Sequence, residues 1–139
     1  MSQENVEIVR AAFDAWNAGE MDAVREAHHP DAMIVRGLEG WPEGSVATVG
    51  REAIMRLWEQ LREAWDVDTL EPVKFIDAGD RVVARLIWHG AGHGPEARME
   101  FSQVFTLRKG KVFLSEYFWN HAEALEAVGL SEQDAHADS

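Results

Sequence analysis

The chain has 139 residues, of which 46% are hydrophobic, and a formal net charge of -12 from 25 acidic and 13 basic residues. This composition is typical of a single globular domain, and the acidic balance argues against binding to nucleic acid or to an anionic membrane. The absence of cysteine excludes disulfides, thiol catalysis and thiolate zinc sites. Neither a secretory signal nor a membrane-spanning apolar run is visible, so we predict a cytoplasmic protein.

The first half of the chain shows helical periodicity. Val6, Val9, Phe13 and Trp16 recur at steps of three and four residues, which predicts an amphipathic helix from about residue 2 to residue 17. The other predicted elements of this half are a short helix ending at Pro30, a strand over 32–37, a loop over 38–50 and a helix over 51–65.

The second half changes to the period of two that is typical of strands. We predict strands over 67–76, 81–89, 96–108 and 111–119, followed by a helix over 121–130. This order predicts an α+β fold in which helices cover one face of an antiparallel sheet. Residues 1–130 would form the domain, and residues 131–139 a frayed acidic tail.

Polar residues interrupt the sheet face that should meet the helices. Strand alternation places Gln103, Ser115 and Tyr117 on this face, among aromatic residues. Because a buried polar group needs a hydrogen-bond partner or a ligand, the pattern predicts a small-molecule pocket. The alternative is that the aromatic residues only fill the core. The predicted ligand-binding residues are Trp16, Arg36, Trp58, Trp88, Phe101, Gln103, Phe105, Ser115 and Trp119.

The opposite face of the sheet mixes charged residues with Ile87, Val104, Leu114 and Phe118. A fully solvated face would not need these four apolar residues, so we predict a homodimer through the outer sheet face. The alternative is a monomer with scattered exposed apolar residues. A β-bulge would exchange the two sets of residues beyond it.

Tyr117 is the first candidate for proton transfer, together with a histidine. His121 begins the last helix next to Trp119, and His29 stands at a junction of helix and strand, so either is a candidate partner. Arg36 could bind a carboxylate or pair with an acid of the 38–50 loop. Since no three metal-ligating residues converge in the pattern, we predict neither a metal nor a cofactor.

Five segments resemble the nuclear transport factor 2-like superfamily and, within it, the SnoaL-like family. They are "AAFDAWNAGEMDAV", "HPDAMI", "GREAIMRLWEQL", "SQVFTLRKGKV" and "FWNHAEALEAVGL", and together they cover nearly the whole chain. The resemblance implies a cone-shaped barrel, in which a curved antiparallel sheet and three to four helices enclose a pocket on one face. It also implies frequent dimers through the outer sheet face.

The catalytic residues of the family's known enzymes are not found at the matching positions. Ketosteroid isomerases need a base, a tyrosine and an acid where this chain has Arg36, Ala12 and Gln103. Limonene epoxide hydrolases need an aspartate, an arginine and an aspartate, where this chain has Ala84, Leu86 and Tyr117. SnoaL-type cyclases need an acid at Gln103. The resemblance therefore implies a pocket without assigning a reaction.

Three functions stay open at this point. The first is a pocket protein that binds a hydrophobic ligand with one or two polar groups. The second is a cofactor-free isomerase, cyclase or dehydratase that uses Tyr117 and a histidine for proton transfer. The third is a non-catalytic protein-interaction module whose tryptophans fill the pocket.

Overall fold

A curved, unclosed sheet of six strands carries the fold in this computed structural model, which describes residues 2–36, 47–64, 67–92 and 95–131. Four helices accompany the sheet within those ranges. The elements are α1 (Ser2–Ala18), α2 (Met21–Glu26), β1 (His28–Arg36), β2 (Thr48–Val49), α3 (Arg51–Ala64), β3 (Val67–Ala78), β4 (Arg81–Ala91), β5 (Ala97–Arg108), β6 (Lys111–Phe118) and α4 (His121–Ala127).

The strand order is β2-β1-β6-β5-β4-β3, and β3 to β6 form the predicted antiparallel meander. The α+β prediction is confirmed, although the sheet is mixed because β1 runs parallel to β6. The turn between β5 and β6 has positive φ at both Lys109 (55°) and Gly110 (75°). Positive φ at both turn residues gives a two-residue turn that fits the right-handed twist of the flanking strands, which explains the sharp turn at "RKGK".

Two strands of the first half differ from the predicted elements. β1 begins at His28, four residues before the predicted strand, and runs through Pro30. Its pairing with β6 is irregular between His28 and Met33, which accommodates a proline that cannot donate to the ladder. β2 lies in the predicted loop and pairs with β1 through two residues, too few to show an alternating pattern.

One face of the sheet, here called the inner face, packs against α1, α2 and α3. Val9 and Phe13 of α1 lie in a buried cluster with Leu86, Phe101 and Phe105 of the sheet. Ile54 of α3 packs on Ala32 and Ile34 of β1 in a second cluster. Burial of these side chains supplies the apolar contact that joins the three helices to the sheet.

The fourth helix packs on the other face, here called the outer face. Leu125 of α4 is fully buried in a cluster with Val83, Val104 and Phe118. Three of the predicted three to four helices thus cover the inner face, and α4 packs on the outer face. Val104 and Phe118 are two of the four apolar residues on which the prediction of a dimer rests. Their burial under α4 explains why they are apolar without a partner subunit.

A bulge in the β5–β6 pair changes which residues of β6 lie on the inner face and which lie on the outer face. The register shifts between Thr106 and Leu107, so that Leu107 pairs with Val112 and both lie in the inner cluster. Strict alternation from Ser115 would place Phe113 on the inner face, but the ring of Phe113 contacts the ring of His29, with 5.3 Å between centroids. Beyond the bulge, Ser115 and Tyr117 lie on the inner face as predicted.

Several predictions concern residues outside the described ranges. These are the acidic tail beyond residue 131, Trp65 at the predicted end of the third helix and residues 38–46 of the predicted loop. Among the helices that the structure describes, none has the length and apolar character needed to cross a membrane.

Candidate functional site

Tyr117 lies in the middle of the inner face, in a row that crosses three strands. Tyr117 pairs with Gln103 of β5, and Gln103 pairs with Ala84 of β4. Because the side chain of Ala84 is small, the row projects less from the sheet at β4 than at β5 and β6. The Tyr117 ring lies 5.8 Å from the Phe101 ring and also packs against the α3 cluster. Tyr117 thus stands where β6 meets both α3 and the neighbouring strands.

Two side chains are hydrogen-bonding partners of the Tyr117 hydroxyl: Gln103, whose amide can donate or accept, and Trp58, whose indole N–H can only donate. Burial raises the pKa of Tyr117 to about 12, and the two hydrogen bonds only partly oppose this rise. The residue as a whole is half-buried, but its hydroxyl end is enclosed. Tyr117 is therefore a neutral phenol near pH 7, whose hydroxyl can donate a hydrogen bond as well as accept one from Trp58.

Trp58 of α3 connects this hydroxyl to a group of aromatic rings. The Trp58 ring meets the ring of Trp16 edge-on at 5.7 Å and the ring of His28 edge-on at 5.1 Å, between centroids. Arg62 packs on Trp16, with its guanidinium 4.7 Å from the centre of the Trp16 ring. These contacts fix the orientation of Trp58 and hence of its indole N–H toward Tyr117.

His28 is buried, at 3% exposure, at the first position of β1. Its Nδ1 lies 2.8 Å from the carbonyl oxygen of Val24, which can only accept, so Nδ1 carries the proton and Nε2 has a free lone pair. Burial lowers the pKa of His28 below 6.5; the hydrogen bond to Val24 opposes this, and the charge of Arg51 adds to the lowering. His28 is thus a neutral imidazole with an acceptor at Nε2.

Three buried side-chain nitrogens have no hydrogen-bond partner among the described residues: Trp16 Nε1, His28 Nε2 and Arg51 Nε. Two of them belong to the rings that contact Trp58. Arg51 is close as well, since its terminal nitrogen donates to the main-chain oxygen of His28 at 3.3 Å. Because unpartnered buried polar atoms are uncommon and costly, their concentration around Trp58 marks this region as a candidate binding site.

Four predicted lining residues lie buried on the inner face of the sheet: Trp88, Phe101, Phe105 and Ser115. Trp88 folds back over Gly90 so closely that a Cβ added there would lie 2.2 Å from the ring. Phe105 packs edge-on against Phe13 of α1, with ring centroids 5.7 Å apart. Trp88 and Phe105 are therefore packed core residues, and Phe101 reaches the site through its contact with Tyr117.

Trp119 and Arg36 stand apart from this buried group. Trp119 follows the end of β6 and is 45% exposed. Arg36 packs its guanidinium 4.4 Å above the ring of Phe118 on the outer face and lies 3.8 Å from a carboxylate oxygen of Glu123 in α4. The structure thus pairs Arg36 with Glu123 on the outer face, while the loop acids Glu39 and Glu43 lie outside the described residues.

The two histidines proposed for proton transfer do not meet Tyr117. His121 Nδ1 lies 2.7 Å from the hydroxyl of Ser102, a residue that pairs with Phe118 on the outer face. The Nδ1 of His29 accepts a hydrogen bond from the Asp31 amide at 3.0 Å, and its ring packs on Phe113. Both side chains therefore lie away from the inner-face row, and His28 is the histidine that contacts Trp58.

Sequence reasoning missed His28 because the strand was predicted to begin at residue 32. Once β1 is extended to His28, its pairing with Val112 places the ring on the inner face with Ala32 and Ile34. The signal was the segment "HHPDA", read as a helix end because proline usually ends helices. A strand that includes a proline lacks the regular alternation by which strands are predicted from sequence.

A separate groove of about 350 Å³ lies between α1 and the edge strand β3. Arg10 and Phe75 line it and contact each other, with the guanidinium 4.7 Å from the ring centre. This groove is open to solvent and does not include Tyr117 or Trp58. In the part of the chain that the structure describes, no group of three histidine, aspartate or glutamate side chains could hold a metal.

A family model described as a SnoaL-like domain matches residues 9–114. TerC, whose crystal structure was determined with polyporic acid, is 23% identical, with a TM-score of 0.73 over 90% of this chain and 98% of TerC. A nuclear transport factor 2-like protein of unknown function from Burkholderia pseudomallei is 20% identical, with a TM-score of 0.73 over 91% and 98% of the two chains.

A proposed polyketide cyclase from Sinorhizobium meliloti is 26% identical, with a TM-score of 0.64 over 80% of this chain and 93% of that protein. No protein with a curated description matches the sequence. The family match covers most of the chain, and the structural neighbours share its α+β architecture. The chain belongs to the family of SnoaL-like domains, and it shares the fold of the nuclear transport factor 2-like protein from Burkholderia pseudomallei.

Proposed function

We propose that this protein binds a hydrophobic small molecule and holds a carbonyl or hydroxyl oxygen of that ligand through Tyr117. The observation that carries the proposal is the neutral, enclosed Tyr117 hydroxyl, which accepts from the Trp58 indole and has a proton that a ligand oxygen can accept. Aromatic rings of Phe101 and Trp58 beside it supply apolar contact. Apolar walls with a few convergent polar groups are the usual composition of small-molecule sites.

The pKa of about 12 favours binding by Tyr117 over proton transfer. A group whose pKa lies far above neutrality donates a hydrogen bond without releasing its proton, and general acids work best with a pKa near the operating pH. Tyr117 therefore suits the role of a fixed donor that orients a carbonyl oxygen.

A cofactor-free isomerase, cyclase or dehydratase is the second candidate, supported by the likeness to the proposed polyketide cyclase from Sinorhizobium meliloti. In such an enzyme the Tyr117 donor would polarise a substrate carbonyl, as hydrogen-bond donors do when negative charge develops on oxygen. Turnover that depends on pH and is lost in Tyr117→Phe would favour the enzyme. Saturable binding without conversion would favour the binding protein.

A titration with two naphthalene compounds of similar shape tests the binding proposal. Acetonaphthone carries a ketone, and isopropylnaphthalene is its hydrocarbon counterpart. Quenching of tryptophan fluorescence reports on both, since Trp58 and Trp16 lie at the site. We expect acetonaphthone to bind about tenfold more tightly, the value of one good hydrogen bond. Equal affinities would contradict the role of Tyr117, and no binding of either compound would contradict the proposal and favour a protein-interaction module.

The cytoplasmic location and the homodimer through the outer face stay predictions. Outside the α4 cluster, the outer face carries His89 paired with Glu71 at 3.0 Å and Arg98 paired with Glu100 at 3.3 Å. A dimer would have to bury these exposed pairs or use other surfaces. Light scattering after size-exclusion chromatography tests the dimer, which the mass of a single chain would contradict.

A further inference from the structure

We propose that His28 is a second ligand contact of this site, with Nε2 accepting a hydrogen bond from a hydroxyl group of the ligand. The proposal rests on the proposed function and narrows its ligand class to hydrophobic compounds that carry a hydroxyl group. It assigns a residue that lies on a different strand from Tyr117 and on the other side of the aromatic group around Trp58.

The first step is the fixed orientation of the imidazole. Nδ1 of His28 donates to the carbonyl of Val24 at 2.8 Å, which holds the ring in one tautomer and points Nε2 away from α2. The ring is 97% buried, since its exposed fraction is 3%, and Nε2 has no partner among the described residues. A buried lone pair without a donor is unfavourable, so an occupant that supplies a donor would stabilise it.

The second step is the location of His28 relative to Tyr117. Both residues contact Trp58: its indole N–H reaches the Tyr117 hydroxyl, and its ring meets the His28 ring edge-on at 5.1 Å. Trp16 meets Trp58 at 5.7 Å, and its Nε1 is also buried without a partner in the described chain. The surroundings of Trp58 therefore offer an acceptor, His28 Nε2, and a donor, Trp16 Nε1, that no described residue uses.

The third step is the charge of the groups around the imidazole. Arg51 is the cation nearby, since it donates to the main-chain oxygen of His28 at 3.3 Å. A carboxylate oxygen of Glu52 lies 3.7 Å from Arg51 Nε, and Trp58 and Val24 add no charge. Burial and Arg51 both disfavour the imidazolium, so Nε2 keeps its lone pair near pH 7. A neutral acceptor selects a neutral donor such as a phenol or an alcohol, and it does not select a carboxylate.

Two substitutions at His28 separate the ligand contact from the structural hydrogen bond. In His28→Asn, the side-chain amide replaces Nδ1 and can still donate to the carbonyl of Val24, but the acceptor at Nε2 is lost. In His28→Gln, the longer side chain places an amide oxygen near the position of Nε2. The probes are naphthol, which carries a hydroxyl, and methylnaphthalene, which has a methyl group in its place.

We expect the wild-type protein to bind naphthol about tenfold more tightly than methylnaphthalene, because one buried hydrogen bond forms. His28→Asn should bind the two probes equally, and His28→Gln should regain part of the preference for naphthol. In nitrogen-detected NMR of the wild-type protein, naphthol should shift the Nε2 resonance of His28 and methylnaphthalene should not. Thermal unfolding of each variant checks that it is folded.

An unchanged preference for naphthol in His28→Asn, or an Nε2 resonance that naphthol does not move, would overturn this proposal. An ordered water that keeps Nε2 occupied would give that second result. If acetonaphthone still binds with the preference expected from Tyr117, the proposed function stands while the role of His28 fails. If acetonaphthone shows no preference but the naphthol results hold, the role of Tyr117 fails instead.

Discussion

The two faces of β5 and β6 use neighbouring residues in different ways. On the outer face, the Ser102 hydroxyl bonds to His121 and Phe118 packs under α4, so polar and apolar groups find partners within the chain. On the inner face, one position along each strand, Gln103 and Tyr117 form a polar pair, and the nearby atoms Trp16 Nε1 and His28 Nε2 have no hydrogen-bond partner among the described residues. A complete set of partners is typical of a structural face, and an incomplete one is typical of a binding face.

The largest expected effect of a substitution lies on the structural face. Leu125→Ala removes a fully buried side chain of α4 and leaves a cavity against Val104 and Phe118. We expect the free energy of unfolding in urea to fall by about 2–5 kcal/mol. Glu126→Ala, an exposed change on the same helix, is the matched control and should cost far less. A small loss for Leu125→Ala would contradict the packing of α4 on the outer face.

The second-largest expected loss of stability tests whether Trp88 is a packed core residue or lines the ligand site. Gly90→Ala places a methyl group 2.2 Å from the Trp88 ring, so the ring must move. We expect a loss of about 1–3 kcal/mol in urea unfolding, as for other overpacked cores. In a Trp88→Leu background the same glycine change should cost much less. Equal costs in both backgrounds would show that the Trp88 ring does not rest on Gly90.

A smaller effect is expected for the hydrogen bond under α4. Ser102→Ala removes the hydroxyl 2.7 Å from His121 Nδ1. We expect the free energy of unfolding to fall by about 1 kcal/mol, the usual net value of one such bond. The affinity for acetonaphthone should not change, because Ser102 lies on the opposite face. A loss of affinity in this variant would contradict the claim that only the inner face binds the ligand.

The smallest expected effect is a dependence of stability on pH. Because the pKa of His28 is lower in the folded state than 6.5, the unfolded chain takes up a proton first as the pH falls. The stabilisation from neutral His28 is therefore fully present above pH 6.5 and is lost as the pH falls toward the folded-state pKa. Urea unfolding at pH 7.5 and at acidic pH should show a smaller loss in His28→Asn than in the wild-type protein. The same loss in both would exclude His28 as the titrating group.

The sequence allowed much of the sheet to be predicted, because alternation and hairpin turns are local signals. The starts of β3, β4 and β6 are confirmed, and Gln103, Ser115 and Tyr117 share the inner face as predicted. Alternation shows which residues share a face, but it does not show which helix covers that face. The position of α4, and with it the contacts of His121 and Arg36, depends on long-range packing that leaves no periodic signal.

Affinity for a ketone in Tyr117→Phe tests the central claim most directly. Phenylalanine keeps the ring against Phe101 and removes only the hydroxyl that would hold the ligand oxygen. We predict that Tyr117→Phe binds acetonaphthone about tenfold more weakly than the wild-type protein, while its affinity for isopropylnaphthalene stays the same. An unchanged preference for the ketone in Tyr117→Phe would contradict the assignment of Tyr117 as the donor that holds the ligand.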